Sequence, residues 1–409
     1  MAKAEIIHES AEKSLTGYAE YIDDIPLEKN ACHGYIGFSN IACGIIRSID
    51  FSAAKKVLGV LDIITYKDVP GENDISPTGK NDEPILIEKK VDYWGQPIFL
   101  IVATDREIAR HAAKLVKIQY DELQPVISIK DAKSSSEKPK LVTEPLRLCR
   151  GNFNYAFKKS EYNLSGEIEI GGQDHFYLEG HIALAIPKED GDLNIFSSTQ
   201  HPSEVQHMVG KALNQPSSSI VVSVRRMGGG FGGKETQSNL FAVLAAIAAK
   251  KIRKSVKIRP DRDDDMIITG KRHPVSAKYE VGFEKSGKIN AVKVTLSAQC
   301  GYSSDLSGPV TDRALFHIDN CYFFSNVELT SEPLFTNTAS NTAFRGFGGP
   351  QGILVSERII EEVAFYVRKD PLKIRKKNLY GIRTNNITPY HKKIRDNISR
   401  RIIDKLEKD

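Results

Sequence analysis

Three short segments carry residue types that do chemistry. The first, Met227–Glu235 (MGGGFGGKE), sets five glycines around one phenylalanine and ends in Lys234 and Glu235. Glycine-rich backbone between a strand and a helix lets amide N–H groups come close to a ligand and act as donors at the helix start. Gly228 to Lys234 also has the G-x-x-x-x-G-K spacing of a phosphate-binding loop. Such a loop needs Ser or Thr next to ligate magnesium, and Glu235 would instead put negative charge where the phosphate belongs. A triphosphate site is therefore disfavoured, leaving a loop that meets some other ligand or a plain strand-to-helix connection.

The second segment, Ala343–Gly352 (AFRGFGGPQG), fails the dinucleotide fingerprint because Gln351 holds the last glycine position. Its Arg345 and Phe347 offer a forked cation and an aromatic face to a planar, anionic or carbonyl-rich partner. A solvated arginine and a core phenylalanine are the bland alternative. The third, Ile170–Glu179 (IGGQDHFYLE), gathers Gln173, Asp174, His175 and Glu179 behind a double glycine. That spacing fits no zinc site, and a single histidine among carboxylates is expected to be a structural hydrogen-bonding residue.

The elements that must position these segments fall into two textures. In the first, strand-like runs at Val57–Thr65 and Ile98–Ala103 flank a helix expected over Asp105–Lys117. Ile108, Ala109, Ala112 and Leu115 form its apolar face, and Thr104 or Asp105 caps it. Lys130–Lys140 (KDAKSSSEKPK) is polar and reads as a linker. From Arg150 to Tyr380 strands (Glu167–Ile170, His181–Pro187, Ile220–Val224, Ala291–Ala298) alternate with helices (Pro202–Ala212, Gln237–Lys251). In His391–Asp409 the residues Ile394, Ile398, Ile402, Ile403 and Leu406 share one face of an expected amphipathic helix, which needs its own domain or a further one to cover it.

Composition bounds the rest. A chain of 409 residues, 40% hydrophobic and 27% charged, can bury two or three cores. A net charge of +5 gives no electrostatic reason to expect nucleic acid or a membrane surface. Cys32, Cys43, Cys149, Cys300 and Cys321 lack the spacing of a disulfide framework, a zinc site or an iron–sulfur site. Met1–Ser10 has no apolar stretch of a secretory leader, and the longest apolar run, Leu240–Ala249, is too short to cross a bilayer. The expectation is a soluble, cytoplasmic protein.

Together the segments resemble the molybdopterin-binding subunit of the bacterial xanthine dehydrogenase type, in the molybdenum hydroxylase family. The resemblance runs through SLTGYAEYIDDIP (Ser14–Pro26), PGENDISPTG (Pro70–Gly79), GGQDHFYLEG (Gly171–Gly180), STQHPSEVQHMVG (Ser198–Gly210), RRMGGGFGGKETQ (Arg225–Gln237), RALFHIDNCY (Arg313–Tyr322) and SNTAFRGFGGPQG (Ser340–Gly352). It implies a mixed α+β architecture: an α/β hammerhead domain over 14–123, a linker over 124–149, the first part of a molybdopterin-binding domain over 150–380, and a tail over 381–409 that opens a second molybdopterin-binding domain.

The resemblance also assigns roles. Gln173, Phe231 with Gly232, and Arg345 would contact a molybdenum–molybdopterin group whose metal no protein side chain ligates. Glu235, Arg313 and Phe347 would bind a purine, hypoxanthine or xanthine, on the way to urate. A carboxyl group can orient or exchange protons with ring nitrogens, an arginine answers charge developing on ring carbonyls, and an aromatic face packs on the ring. The aldehyde oxidases, similar in sequence, carry apolar residues at the positions of Glu235 and Arg313, so the pair favours a purine over an aldehyde. The family's general-base glutamate has no counterpart here and is expected beyond Asp409, on a separate polypeptide or a missing part of this one. The resemblance also implies 2Fe–2S clusters and FAD on a separate subunit. The alternatives are a truncated, non-catalytic remnant or scaffold, and an aldehyde oxidase-type hydroxylase.

Overall fold

The computed structural model describes residues 8–134 and 138–408. Outside them lie residues 1–7 of the Met1–Ser10 stretch, residues 135–137 of the polar Lys130–Lys140 stretch, and Asp409 of the tail. Two compact units divide the chain, and each is built from two stretches: Met1–Gln124 with His175–Thr269, and Pro125–Asp174 with Gly270–Asp409.

In the first unit, strand pairing is what joins the distant stretches. A seven-stranded sheet runs in the order Ile220–Ser223, Leu193–Ser197, Ala183–Pro187, Val256–Ile258, Cys32–Phe38, Pro97–Ala103, Val60–Ile64. Cys32 to Gly34 pair in parallel with Val256 to Ile258. The Ser238–Ile252 helix packs against this sheet, and every residue from Ser238 to Ala249 is buried. A helix apolar all round has no solvent face to offer, which is why an alanine-rich run becomes a core element. A second core forms where Ile46, Val91, Phe99 and Ile101 meet Ala109 and Ala112 of the Arg106–Lys114 helix. Asp105 caps that helix by accepting the Glu107 N–H at 2.8 Å, and the helix ends at Lys114 because Lys117–Glu122 continues as a strand.

The second unit is a five-stranded sheet in the order Arg147–Arg150, Asn326–Phe335, Ile289–Gly301, Val275–Phe283, Tyr162–Ile170. The helices Ser307–Phe316, Gly349–Tyr366 and Pro371–Asn378 contribute to its core, with Ala314, Val355, Ile359 and Ile374 packed among the inward residues of the sheet. The polar stretch expected as a linker carries a helix, Ile129–Ser134, whose Lys133 pairs with Glu332 at 2.7 Å. The tail helix is shorter than the apolar spacing suggests and covers only Ser399–Leu406. Ahead of it, the chain turns back on itself: the Ile394 N–H bonds to the Asn386 oxygen, and Ile387 bridges Lys393. No described helix is long and apolar enough to cross a membrane.

Candidate functional site

The glycine loop of the first unit follows the strand Ile220–Ser223 and leads into the buried Ser238–Ile252 helix. Its glycines answer close approaches. A Cβ on Gly233 would come within 2.7 Å of the His175 ring, and one on Gly230 within 2.6 Å of Gln200 Oε1. His175 is thus packed beneath the loop, as a structural residue. Gln200 Oε1 accepts the Gly232 N–H at 2.8 Å, so that amide is already committed within the chain. Lys234 is wholly buried, and its ammonium donates to the Glu179 backbone oxygen and to Ser198 Oγ, both at 2.7 Å. Burial pulls Lys234 down to about 8, with Glu179 opposing the shift.

Two residues of this loop remain available. Phe231 adopts a left-handed backbone (φ +50°), is 46% exposed, and its N–H has no partner among the described residues. Glu235 is half-buried, and its carboxyl has no side-chain partner among the described residues. Burial pushes that carboxyl above the usual range, His201 opposes the shift, and Glu204 adds to it.

In the second unit the Phe344–Gly349 loop turns tightly, with the Phe347 N–H on the Phe344 oxygen at 2.6 Å and the Gly349 N–H on the Gly346 oxygen at 3.0 Å. Gly348 lies at φ +87°, and any Cβ there would overlap the Val310 carbonyl oxygen. The loop is therefore seated directly on the Ser307–Phe316 helix, the element that carries Arg313. Arg313 and Arg345 are exposed, and neither guanidinium has a partner among the described residues; Phe347 is half-buried at φ +49°.

One segment, Lys271–His273, ties this loop to the glutamine segment. Lys271 pairs with Asp174 at 3.0 Å. The Arg272 N–H bonds to the Gln173 backbone oxygen at 2.9 Å, its Nε donates to Gln173 Oε1 at 2.7 Å, and its Nη2 donates to the Arg345 backbone oxygen at 2.9 Å. The Arg272 guanidinium also sits 3.9 Å from the centre of the Phe344 ring. His273, fully buried and held neutral with a pKa down at about 3, meets Ser307 Oγ at 2.8 Å, at the start of the Arg313 helix.

The residues singled out from the sequence therefore fall into two sets: Phe231, Gly232 and Glu235 in the first unit, and Gln173, Arg313, Arg345 and Phe347 in the second. Arg272 binds both Gln173 and the Arg345 loop, yet nothing in the run KRHP announces it. Gln200 and the Lys234–Glu179 link were equally silent, because their partners lie tens of residues away in sequence.

Comparison with known proteins places this architecture. Residues 135–379 match the molybdopterin cofactor-binding domain, and residues 16–124 match the a/b hammerhead domain of aldehyde oxidase and xanthine dehydrogenase. The chain belongs to the molybdenum hydroxylase family. It is 43% identical over 391 residues to the xanthine dehydrogenase/oxidase of Gallus gallus, covering 95% of this chain and 28% of that protein. The xanthine dehydrogenase of Blastobotrys adeninivorans is 40% identical over 395 residues, covering 96% of this chain and 28% of its own length. The aldehyde oxidoreductase of Desulfovibrio gigas superposes with a TM-score of 0.90 at 27% identity, over 98% of this chain and 45% of that one. The chain thus spans less than a third of the two xanthine dehydrogenase relatives and under half of the aldehyde oxidoreductase.

The donor set fits a molybdenum–pterin group, which is bound through its organic part. Among the described residues no group of three or more His, Cys, Asp or Glu side chains could hold a bare metal. What the residues offer instead are hydrogen-bond donors: in the first unit the Phe231 N–H, and in the second the Gln173 amide, the Arg345 guanidinium and a buried Arg272 Nη1 with no partner among the described residues. Donors suit a ligand rich in oxygen and anionic groups.

Proposed function

We propose that this chain is part of a purine-hydroxylating enzyme of the xanthine dehydrogenase type, and that it holds one side of the molybdenum–pterin group and the purine contacts. The observation that carries the reading is the Glu235 carboxyl, half-buried, raised by burial and without a side-chain partner among the described residues. An aldehyde offers a carboxylate no hydrogen-bond donor, whereas a purine edge offers ring N–H groups and can also exchange a proton with the carboxyl. Glu235 would orient the ring and hold or release a proton at a ring nitrogen. Arg313 would answer negative charge growing on a ring carbonyl oxygen, and Phe347 would pack on the ring face.

Gln173, the Phe231 N–H and Arg345 would hold the pterin-borne group. When bound, that group supplies two-electron oxidation and the oxygen that hydroxylation adds. The much greater length of the relatives supports the further proposal that the general base, the iron–sulfur clusters and the flavin are contributed by other polypeptide segments or subunits.

The test is Glu235→Ala in the assembled enzyme, with molybdenum content, xanthine turnover and aromatic aldehyde turnover measured side by side. Purine turnover should fall at least about a hundredfold while molybdenum stays near one per chain. Equal loss of metal and turnover, or aldehyde oxidised in preference by the unaltered enzyme, would refute the reading.

A further inference from the structure

We infer that Arg272 is a positioning residue that sets which end of the Gln173 amide faces the cofactor and holds the Arg345 loop beside it. The inference rests on the proposed role of Gln173 and adds a residue that the family resemblance did not supply.

The chemistry of the two side chains makes the orientation one-sided. A guanidinium carries donors only, so it can satisfy the oxygen end of an amide but not its NH2 end. With Arg272 Nε 2.7 Å from Gln173 Oε1, the amide NH2 of Gln173 is the end left over. Gln173 is exposed, and its NH2 has no partner among the described residues. An unanchored glutamine amide can rotate by half a turn and present its oxygen instead, repelling an oxygen or sulfur ligand of the cofactor. Arg272 removes that freedom. Its backbone N–H on the Gln173 oxygen fixes the main chain of the same residue.

The other arm of the fork acts on the second cofactor contact. Nη2 donates to the Arg345 carbonyl oxygen, and the guanidinium carbon lies 3.9 Å from the ring centre of Phe344, the residue that precedes Arg345. Arg272 is 7% exposed, so its end of these bonds is shielded from water, which strengthens them. A planar fork can serve Nε and Nη2 acceptors at once; an ammonium is a single point of charge and cannot reproduce the pair.

Four variants of the assembled enzyme test this: Arg272→Met, Arg272→Lys, Gln173→Ala and Arg272→Met with Gln173→Ala. The readouts are molybdenum per chain, kcat per bound molybdenum, KM for the purine, and the thermal midpoint of the metal-free protein. Arg272→Met should lower kcat per bound molybdenum at least about tenfold, as loss of outer-shell orientation does. KM should move less than about twofold, because Arg272 touches no substrate. Gln173→Ala should match it, and the double variant should be no worse than the more damaged single one. Arg272→Lys, which keeps a buried cation, should fold like the parent yet recover only part of the lost kcat.

Additive losses in the double variant, or full activity per molybdenum in Arg272→Lys, would overturn the inference. If Arg272→Met moves only the thermal midpoint and leaves kcat per molybdenum intact, Arg272 is structural and the inference falls. Were Gln173→Ala itself to change neither metal content nor kcat, the proposed role of Gln173 would fail first and take the inference with it. A damaged Gln173→Ala beside an intact Arg272→Met would sink the inference alone.

Discussion

Lys234 and Glu179 clasp each other twice over: the buried ammonium donates to the Glu179 backbone oxygen at 2.7 Å and lies 3.4 Å from Glu179 Oε2, which also accepts the Gly228 N–H at 2.8 Å. The start and end of the glycine loop are thereby fixed to one residue of a neighbouring segment.

Lys234→Met should consequently destabilise the first unit by about 3 kcal/mol, since the poorly exposed Glu179 carboxylate loses its countercharge and keeps only the Gly228 N–H and Ser198 hydroxyl as donors. The pH dependence is diagnostic. With Lys234 held near 8 in the fold against 10.5 for an ordinary lysine, the unfolded chain binds more protons between those values. Stability should climb as pH rises through that window, and Lys234→Met should abolish the climb. Chemical denaturation from pH 7 to 10.5 measures it; a climb of the same size in the variant would exclude Lys234 as its source.

Gly348→Ala should cost at least about 2 kcal/mol, because the new methyl meets the Val310 carbonyl oxygen in a backbone conformation that L side chains avoid. Gly171→Ala, with nothing within 4 Å of its added Cβ, is the matched control and should be close to neutral. If the two variants denature at the same urea concentration, the seating of the Phe347 loop on the Arg313 helix is looser than described.

Asp319 offers a second pH signature. It is buried, accepts the Tyr380 hydroxyl, and burial pushes its carboxyl up to about 6 from 3.8. Between those values the folded protein binds the extra proton, so stability should fall as pH rises from about 4 to 6. Asp319→Asn removes the buried charge and should gain up to about 3 kcal/mol above pH 6, with the gain vanishing below pH 4. A gain independent of pH would point to packing instead of ionisation.

How much of this was legible in the sequence depended on the range of the interactions. The Asp105 cap and the helices Pro202–Leu213 and Ser238–Ile252 rest on local periodicity and capping, and they stand within a few residues of where the spacing put them. The tail helix did not reach back to His391, because residues 386–394 satisfy their backbone groups in a local turn that competes with helix. The segment that carries Phe231 and Glu235 was visible because glycine crowding singled it out. Arg272 was not, since its role comes from two acceptors lying 99 and 73 residues away in the chain.

The parallel pairing of Cys32–Gly34 with Val256–Ile258 has a consequence for how the protein is made. The strand Cys32–Phe38 is complete on one side as soon as Pro97–Ala103 emerges from the ribosome, but its other edge stays open for some 150 residues more, about ten seconds or longer of synthesis at ordinary elongation rates. Contacts so distant in sequence form slowly, and a bare strand edge invites pairing with other chains. During that interval the unpaired edge of Cys32–Phe38 is expected to invite chaperone binding or mispairing, and an earlier-arriving partner strand would shorten the exposure.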